Sequence, residues 1–392
     1  MSRPMYSRFD DREGLDLAAV ELAFHRLSAR APQDRRGALE ALSGEDREDL
    51  IIGAFAYGAT REDPWNTRSD ANLLATALEA FTSGIVVSGR VEEDPALRLT
   101  PSSSVLLARI AARHLPPGVL NVVCGDRDTG RARTAHRDVA LIAVTGSVRA
   151  GQEIAAAAAA GLKRVHLELG GNAPVIVHDD VDVEATAASL AAVAYYNAGQ
   201  DCTAPTRLLV HHRIHDAFLV AFAAATRKLR TGAPDDPDAD FGPRNNADQL
   251  ARVQALLDRV PAHAEIVTGG ARLPHPGFFH EPTVVAGVHQ EDEMVQEEIF
   301  GPVVTVQSFT DEADALRLAD GVRFGLAASV WTTDHDRAMR ATRALHTGIV
   351  WVNTHGTTVS EMPHGGVKHS GYGSDLSLSG LLDYTQVKHV ML

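Results

Sequence analysis

Two side chains could carry the chemistry of a reaction, one as a nucleophile and one in proton transfer. The first is the thiol of Cys202. It occurs in NAGQDCTAP, in an expected turn between a long helix and a strand. Backbone N–H groups in such a turn can stabilise a thiolate, or an oxyanion that forms on a substrate. The alternative is a buried structural cysteine, which the polar neighbours Gln200, Asp201 and Thr203 disfavour. On spacing alone, both interpretations stay open.

The second is the carboxyl group of Glu168, which stands between two leucines in HLELGGN, at the end of a predicted strand. A carboxyl group there could act as a general base or acid whose pKa is adjusted by partial burial. The alternative is an outward-facing strand residue, which the alternation of a strand permits. Gly170 and Gly171 would let the backbone turn sharply or approach a ligand closely.

These residues lie in two series of alternating strands and helices. The first series starts near residue 96 and includes strands at VLNVVCG, VALIAV and RVHLEL, with Cys124 of VLNVVCG expected in a core. The second follows Gly170, with strands at APVIVHD, TRLLVH, PTVVAGV, PVVTVQSF, AASVWTT and GIVWVN. The alternation predicts an α/β fold of two doubly wound domains. The first series is expected to bind ligands at the carboxyl ends of its strands. Residues 384–392 alternate like an exposed strand that pairs with another edge, for instance in another subunit.

Charge and composition exclude several functions. The 392 residues carry a formal net charge of −14, which argues against nucleic acid or an anionic membrane as the main partner. Two cysteines do not suggest a disulfide framework, and the sequence has neither a signal-type apolar stretch nor a bilayer-length apolar run. A cytoplasmic protein that handles small molecules is therefore expected. His211, His212 and His215 are interpreted as a solvated face, and no metal site is predicted.

Six motifs together resemble the aldehyde dehydrogenase superfamily, from about Pro116 to Leu392. In order they are HLELGGNAPVIV, YYNAGQDCTAPTRLLVH, EEIFGPVV, FGLAASVW, WVNTH and EMPHGGVKHSGYG. Their order and spacing make the resemblance specific. The stretch from Trp351 onwards is most similar to the branch that acts on 4-aminobutyraldehyde and betaine aldehyde.

The resemblance implies a mechanism with NAD or NADP as cofactor. Cys202 would attack the aldehyde to give a thiohemiacetal, whose oxyanion is held by the Cys202 N–H and an asparagine side chain. Hydride transfer to the nicotinamide would leave a thioester, which water activated by Glu168 would hydrolyse. The candidate for the asparagine is Asn66 in Pro64-Trp65-Asn66, although the residues that follow differ from the family pattern.

The resemblance also implies a cofactor site. Glu298 and Phe300 match the EEIFGP motif, whose glutamate grips the nicotinamide ribose; the alternative for Glu298 is a surface acid. Gly146 and Ser147 open a helix, and a helix N-terminus favours phosphate. Gly170 completes this part of the predicted site.

Part of the cofactor half departs from the family. The first 95 residues do not resemble it, and Thr100 stands where the family has the lysine that binds the adenosine ribose. No lysine precedes Lys163, and the nearby Arg98 is not a simple replacement for one. The choice between NAD and NADP stays open. The predicted organisation is a shortened Rossmann-like cofactor domain (1–169, of which 1–95 are divergent), a catalytic domain (170–354) and a return segment (355–392) with an oligomerisation strand (384–392).

Two functional hypotheses follow. The first is an aldehyde dehydrogenase, for an aminoaldehyde, that works as a homodimer or homotetramer. The second is a family member without NAD-dependent oxidation, which uses Cys202 and Glu168 for non-redox carbonyl or thioester chemistry or acts as a non-catalytic partner. Loss of the family lysine at Thr100 favours the second, and the intact chemical motifs favour the first.

Overall fold

The fold was analysed in a computed structural model, which describes residues 120–233 and 236–392 together with 108–109, 111–113 and 118. The predicted site residues Asn66 and Thr100 lie outside the described residues. The strands are β1 (Leu141–Thr145), β2 (Arg164–Glu168), β3 (Ala173–Val177), β4 (Pro205–His211), β5 (Glu265–Thr268), β6 (Thr283–Ala286), β7 (Val303–Phe309), β8 (Phe324–Gly325), β9 (Ala327–Trp331), β10 (Ile349–Val352), β11 (Val367–Lys368) and β12 (Gly371–Tyr372). The helices are α1 (Arg127–Ala135), α2 (Val148–Ala159), α3 (Val183–Ala194), α4 (His215–Arg227), α5 (Ala247–Leu257), α6 (Glu293–Gln296), α7 (Glu312–Asp320), α8 (His335–Ala344) and α9 (Ser377–Asp383).

The larger sheet has seven strands in the order β10-β9-β3-β4-β7-β6-β5. Its pairs are parallel except that β5 runs antiparallel to β6. All five residues of β3 and of β9 are buried, as expected of parallel strands covered on both faces. Side chains on one face, such as Val175 and Leu208, pack with the phenylalanines of α4, whereas Ile176 and Leu209 on the other face pack with α7 and α8. These helices make the sheet doubly wound, which confirms the predicted α/β class.

A smaller sheet, in the order β1-β2-β12, precedes the larger one. Strands β1 and β2 are parallel, whereas β12 comes from the return segment and pairs antiparallel with β2. The chain passes from the smaller to the larger sheet between Glu168 and Ala173. The predicted boundary between the two domains falls in this passage and stays a prediction.

One of the predicted strands does not form in the described residues. The described part of VLNVVCG, residues 120–125, has a single bridge at Asn121 and no strand, and Cys124 is exposed rather than in a core. Its residues lead directly to Asp126, whose side chain caps α1 by accepting a hydrogen bond from the Asp128 N–H. Residues 385–392 pair with no edge of the described chain, and the strand expected to pair with another subunit stays a prediction. None of the helices in the described part of the chain has the length and apolar character that a membrane crossing needs.

Arg207 of β4 joins the larger sheet to α7. Its side chain is fully buried and donates to the carbonyl groups of Asn172, Leu318 and Ala319, at 3.1, 3.0 and 2.7 Å. Burial lowers the pKa of Arg207 to about 9. The guanidinium group therefore ties the end of α7 to the segment that precedes β3.

Replacement of Arg207 by methionine should destabilise the fold strongly. The apolar side chain fills part of the space but leaves three buried carbonyl groups without their donor, so we expect a loss of about 3 kcal/mol or more in the free energy of unfolding. Urea denaturation followed by circular dichroism measures it. Arg213→Met is the control, since Arg213 is exposed and makes a surface ion pair with Asp179. Equal stability of the two variants would contradict this role of Arg207.

Candidate active site

The turn that carries Cys202 has an unusual backbone. A short 3₁₀ segment, Tyr196–Gly199, follows α3, and Asn197, Ala198 and Gly199 have φ values of 50°, 56° and 67°. The left-handed conformation is costly for a residue such as alanine. At Gly199 a Cβ atom would lie 2.2 Å from the carbonyl oxygen of Gly301, so only glycine fits there. These constraints direct the chain into the turn, where Cys202 is partly exposed.

Hydrogen bonds hold the other side of this turn. One carboxylate oxygen of Asp201 accepts from both the N–H and the hydroxyl of Thr203, each at 2.7 Å. The Nε2 atom of buried His355 lies 2.7 Å from the Thr203 carbonyl oxygen, and its Nδ1 lies 2.8 Å from the Ser329 hydroxyl. Because a carbonyl only accepts, Nε2 carries the proton and the serine donates to Nδ1. His355 thus fixes the residue next to Cys202.

Glu168 is the last residue of β2 and is only 3% exposed. One carboxylate oxygen lies 3.3 Å from Nδ1 of His364, and the other lies 3.8 Å from Nε2 of His166. Burial raises the pKa of Glu168, and the adjacent His364 opposes this rise. The carboxyl group therefore titrates above its ordinary range, which suits a group that takes up and releases a proton.

Gly170 and Gly171 bring the predicted base, nucleophile and cofactor residues together. A Cβ atom on Gly171 would lie 2.0 Å from the carbonyl oxygen of Cys202, and one on Gly170 would lie 2.2 Å from Oε2 of Glu298. The Gly171 N–H donates to Oε1 of Glu298 at 2.9 Å. The two residues after Glu168-Leu169 therefore touch both the turn of Cys202 and the carboxylate of Glu298.

Two further predicted residues join the same region from the smaller sheet. Gly146 follows β1, and its N–H donates to the backbone carbonyl of Glu168 at 2.9 Å. Ser147 caps α2 by accepting from the Ala150 N–H at 3.2 Å. The start of α2, a 12-residue helix, thus lies beside the end of β2. Phe300 has φ 52°, and Arg244 donates to its carbonyl oxygen.

The cluster is built from the ends of strands in both sheets. In the smaller sheet the residues follow the carboxyl ends of β1 and β2, as predicted. In the larger sheet they precede the amino ends of β3, β4 and β7 instead. The site therefore lies between the two sheets, since the chain crosses from the end of β2 to the start of β3 within four residues, 169–172.

The sequence interpretation missed four polar residues of this region, His166, His355, His364 and Asp375. Asp375 lies 3.1 Å from His166, which in turn faces Glu168. His355, His364 and His166 all occur within the motifs WVNTH, EMPHGG and HLELGG, so their position next to glycine-rich turns was a signal that could have identified them.

The site and fold define a member of one enzyme family. Residues 95–390 match the aldehyde dehydrogenase family, and the chain belongs to that family. It is 40% identical over 297 residues to a betaine aldehyde dehydrogenase of Sinorhizobium fredii, a match that covers 74% of this chain and 61% of the relative. The predicted resemblance to the betaine-aldehyde branch is thereby confirmed.

Solved structures give the same result. An NAD-dependent aldehyde dehydrogenase from Sinorhizobium meliloti has 37% identity and a TM-score of 0.72, over 74% of this chain and 58% of that one. A betaine aldehyde dehydrogenase variant from Staphylococcus aureus, in complex with NAD+, has 34% identity and a TM-score of 0.73, over 74% of this chain and 60% of that one. In these matches the chain spans about three fifths of each relative's length.

Proposed function

We propose that the chain is an aldehyde dehydrogenase that oxidises an aldehyde to its acid, with Cys202 as the nucleophile and Glu168 as the base. The observation that carries the proposal is the contact of Gly170 and Gly171 with Glu298 and the backbone of Cys202, directly after Glu168. This contact assembles a thiol, a base and a cofactor-type carboxylate around one short segment. The dehydrogenase names of the relatives also support oxidation over the non-redox alternative.

The residues of the site each have a step that suits their chemistry. The Cys202 thiolate attacks the carbonyl carbon of the aldehyde, and the N–H of Cys202 donates to the oxyanion. After oxidation the acyl group is held on sulfur as a thioester. Glu168 then takes a proton from a water molecule that attacks the carbonyl carbon of this thioester. The attack releases the acid and restores the thiol of Cys202. Asn66 stays the predicted second donor to the oxyanion and lies outside the described residues.

The described residues fit the nicotinamide end of NAD+. The Glu298 carboxylate can accept from two ribose hydroxyls, and a side chain at Gly170 would collide with that carboxylate. Gly146 and Ser147 lie at the start of α2, where backbone N–H groups favour phosphate. When bound, NAD+ supplies the hydride acceptor. Phe300 stays a predicted contact of the cofactor, and the replaced lysine position, Thr100, belongs to the undescribed part.

The substrate class, the assembly and the location are parts of the same proposal. The betaine aldehyde dehydrogenases among the relatives support an aldehyde with an amino or quaternary ammonium group. A homodimer or homotetramer is supported by the apolar side chains that the final residues expose, namely Val387, Val390, Met391 and Leu392. The expected cytoplasmic location stays a prediction.

Binding of NAD+ to the purified protein, measured by calorimetry, tests the cofactor half of the proposal. We expect micromolar binding of NAD+ or NADP+, and a loss of about tenfold or more in Glu298→Gln, because hydrogen bonds to a charged acceptor are worth about 1.5–3 kcal/mol. Glu297→Gln is the matched control, since the neighbouring Glu297 is bound to Arg323 at the surface. If neither cofactor binds at millimolar concentration, the oxidation proposal fails.

A further inference from the structure

His166 lies between three carboxyl groups in a buried position. It stands two residues before Glu168 in β2, on the same face of the strand, and is 3% exposed. Its Nδ1 lies 3.1 Å from Oδ2 of Asp383, and its Nε2 lies 3.1 Å from Oδ1 of Asp375 and 3.8 Å from Oε1 of Glu168. Both ring nitrogens therefore face carboxylate oxygens.

This arrangement determines the charge of the ring. A neutral imidazole has one N–H donor and one lone pair, and the lone pair would point at an acceptor-only carboxylate on one side. Nε2 makes no aligned hydrogen bond within the described residues, so its contact with Asp375 is electrostatic, and a positively charged ring favours that contact. Burial lowers the pKa of His166, but Asp375, Glu168 and Asp383 outweigh it and raise the pKa to about 9. The ring is therefore a buried cation at neutral pH.

The groups packed around the ring keep this arrangement rigid. Asp383, at the end of α9, also accepts from the Ser374 N–H at 3.0 Å. Arg164 on β2 binds the backbone carbonyls of Asp383 and Thr385 rather than a carboxylate. The Tyr384 ring lies 6.0 Å from that of His166, and a Cβ atom on Gly373 would lie 2.6 Å from Nδ1. The cation thus has little freedom to turn away.

Glu168 needs such a cation. Neither of its oxygens receives a well-aligned hydrogen bond from the described residues, and a buried carboxylate without compensation takes up a proton. His364 approaches one oxygen, at 3.3 Å, whereas the other faces His166 and the backbone of Gly365. Asp375 and Asp383 add negative charge to the same cluster, so His166 lies among three carboxyl groups. Against the effect of burial, Glu168 also raises the pKa of His364, which is the other histidine beside it.

We propose that His166, held as a cation by Asp375 and Asp383, is a positioning residue that keeps buried Glu168 in its carboxylate form. The role of Glu168 as the base rests on the proposed function. The charge of His166 does not, because it follows from the three carboxyl groups that surround the ring.

The pH dependence of aldehyde oxidation tests the positioning role. Activity requires the carboxylate form of Glu168 and is lost as the pH falls through its pKa. His166→Gln removes the positive charge, so the pH at which activity is half lost on the acid limb should rise by about one unit or more. The activity on the plateau at high pH should stay within about threefold of the parent. His178→Gln is the matched control, because His178 is equally buried but lies at the opposite end of β3. A lower plateau without a shift of the limb would show a merely structural role and overturn the proposal.

The charge itself can be measured without any turnover, by nitrogen chemical shifts of the histidine rings in protein free of substrate and cofactor. The His166 signals are assigned by their loss in His166→Gln, with a chelator present because His166, Glu168 and Asp375 place ligand-type atoms within 4.8 Å of one another. We expect a doubly protonated ring at neutral pH, and a pKa lower by about one unit or more in Asp383→Asn. A neutral ring at neutral pH would overturn the proposal whether or not the chain oxidises aldehydes. If the ring is charged but the protein does not oxidise aldehydes, the proposed function is wrong and the charge of His166 stands.

Discussion

Replacement of Cys202 by alanine should abolish aldehyde oxidation, with a fall of about 10⁴-fold or more in kcat. Cys202 is the thiol at the turn between α3 and β4, and the proposed base Glu168 cannot form the covalent intermediate without it. The rate of NADH formation with a saturating aminoaldehyde measures the effect. Binding of NAD+ should stay within a few fold, because Gly170 and Glu298 keep their contact without the sulfur atom.

The chain provides its own control for this experiment. Cys124 is exposed and lies before α1, outside the motifs of the proposed site, so Cys124→Ala should retain activity close to that of the unmodified protein. A general effect of thiol loss on solubility or oxidation would appear in both variants. Activity of Cys202→Ala within tenfold of the parent would show that a different nucleophile is used, and the proposed mechanism would be wrong.

Substitution of Gly171 by alanine should lower kcat by about 10²-fold, although no chemical group of the site is removed. The new Cβ atom would lie 2.0 Å from the Cys202 carbonyl oxygen, and both groups belong to backbone that cannot rotate away. The turn must therefore move by about 1 Å, a displacement that costs about 10²-fold when it separates reacting groups. Gly171 does not have a positive φ, so alanine introduces the contact without a forbidden conformation.

The matched control for this substitution is Gly161→Ala. At Gly161, after α2, a Cβ atom would approach only the flexible side chain of Lys163, at 3.1 Å, so activity should be unchanged. Thermal unfolding of both variants separates a shifted turn from a chain that fails to fold. A folded Gly171→Ala protein with normal kcat would mean that the spacing between the end of β2 and the turn of Cys202 does not control the reaction.

The sequence predicted those parts of the fold that depend on local patterns. Continuous apolar runs such as APVIV form buried strands in the larger sheet because any parallel sheet covered on two faces buries such runs. The run in VLNVVCG is also largely apolar, yet its described residues form no strand and Cys124 is exposed. Pairing needs a neighbouring strand, and a local pattern does not show whether one is present.

The site was predictable to the extent that its residues lie in compact motifs. Cys202, Glu168 and Glu298 each stand beside a turn signal, and their motifs resemble those of the family that the comparisons identify. The pair of His166 and Asp383 could not be predicted, because 217 positions separate the two residues. Their contact depends on the pairing of β12 with β2, which only the folded chain defines.

The pairing of β12 with β2 can form only late in synthesis, after the return segment has been made. The Ser370 hydroxyl donates to the Gly170 carbonyl across a separation of 200 residues, and the Leu169 N–H donates to the Ser370 carbonyl. At ribosomal speeds of about 5–20 residues per second, the nascent chain contains Gly170 for roughly 10–40 s before Ser370 is added. During that interval Glu168 has neither the strand that covers it nor the aspartates that charge its histidine neighbour. A nascent chain can therefore display the thiol of Cys202 well before Glu168 has its buried surroundings, which are complete only when the return segment has folded onto β2.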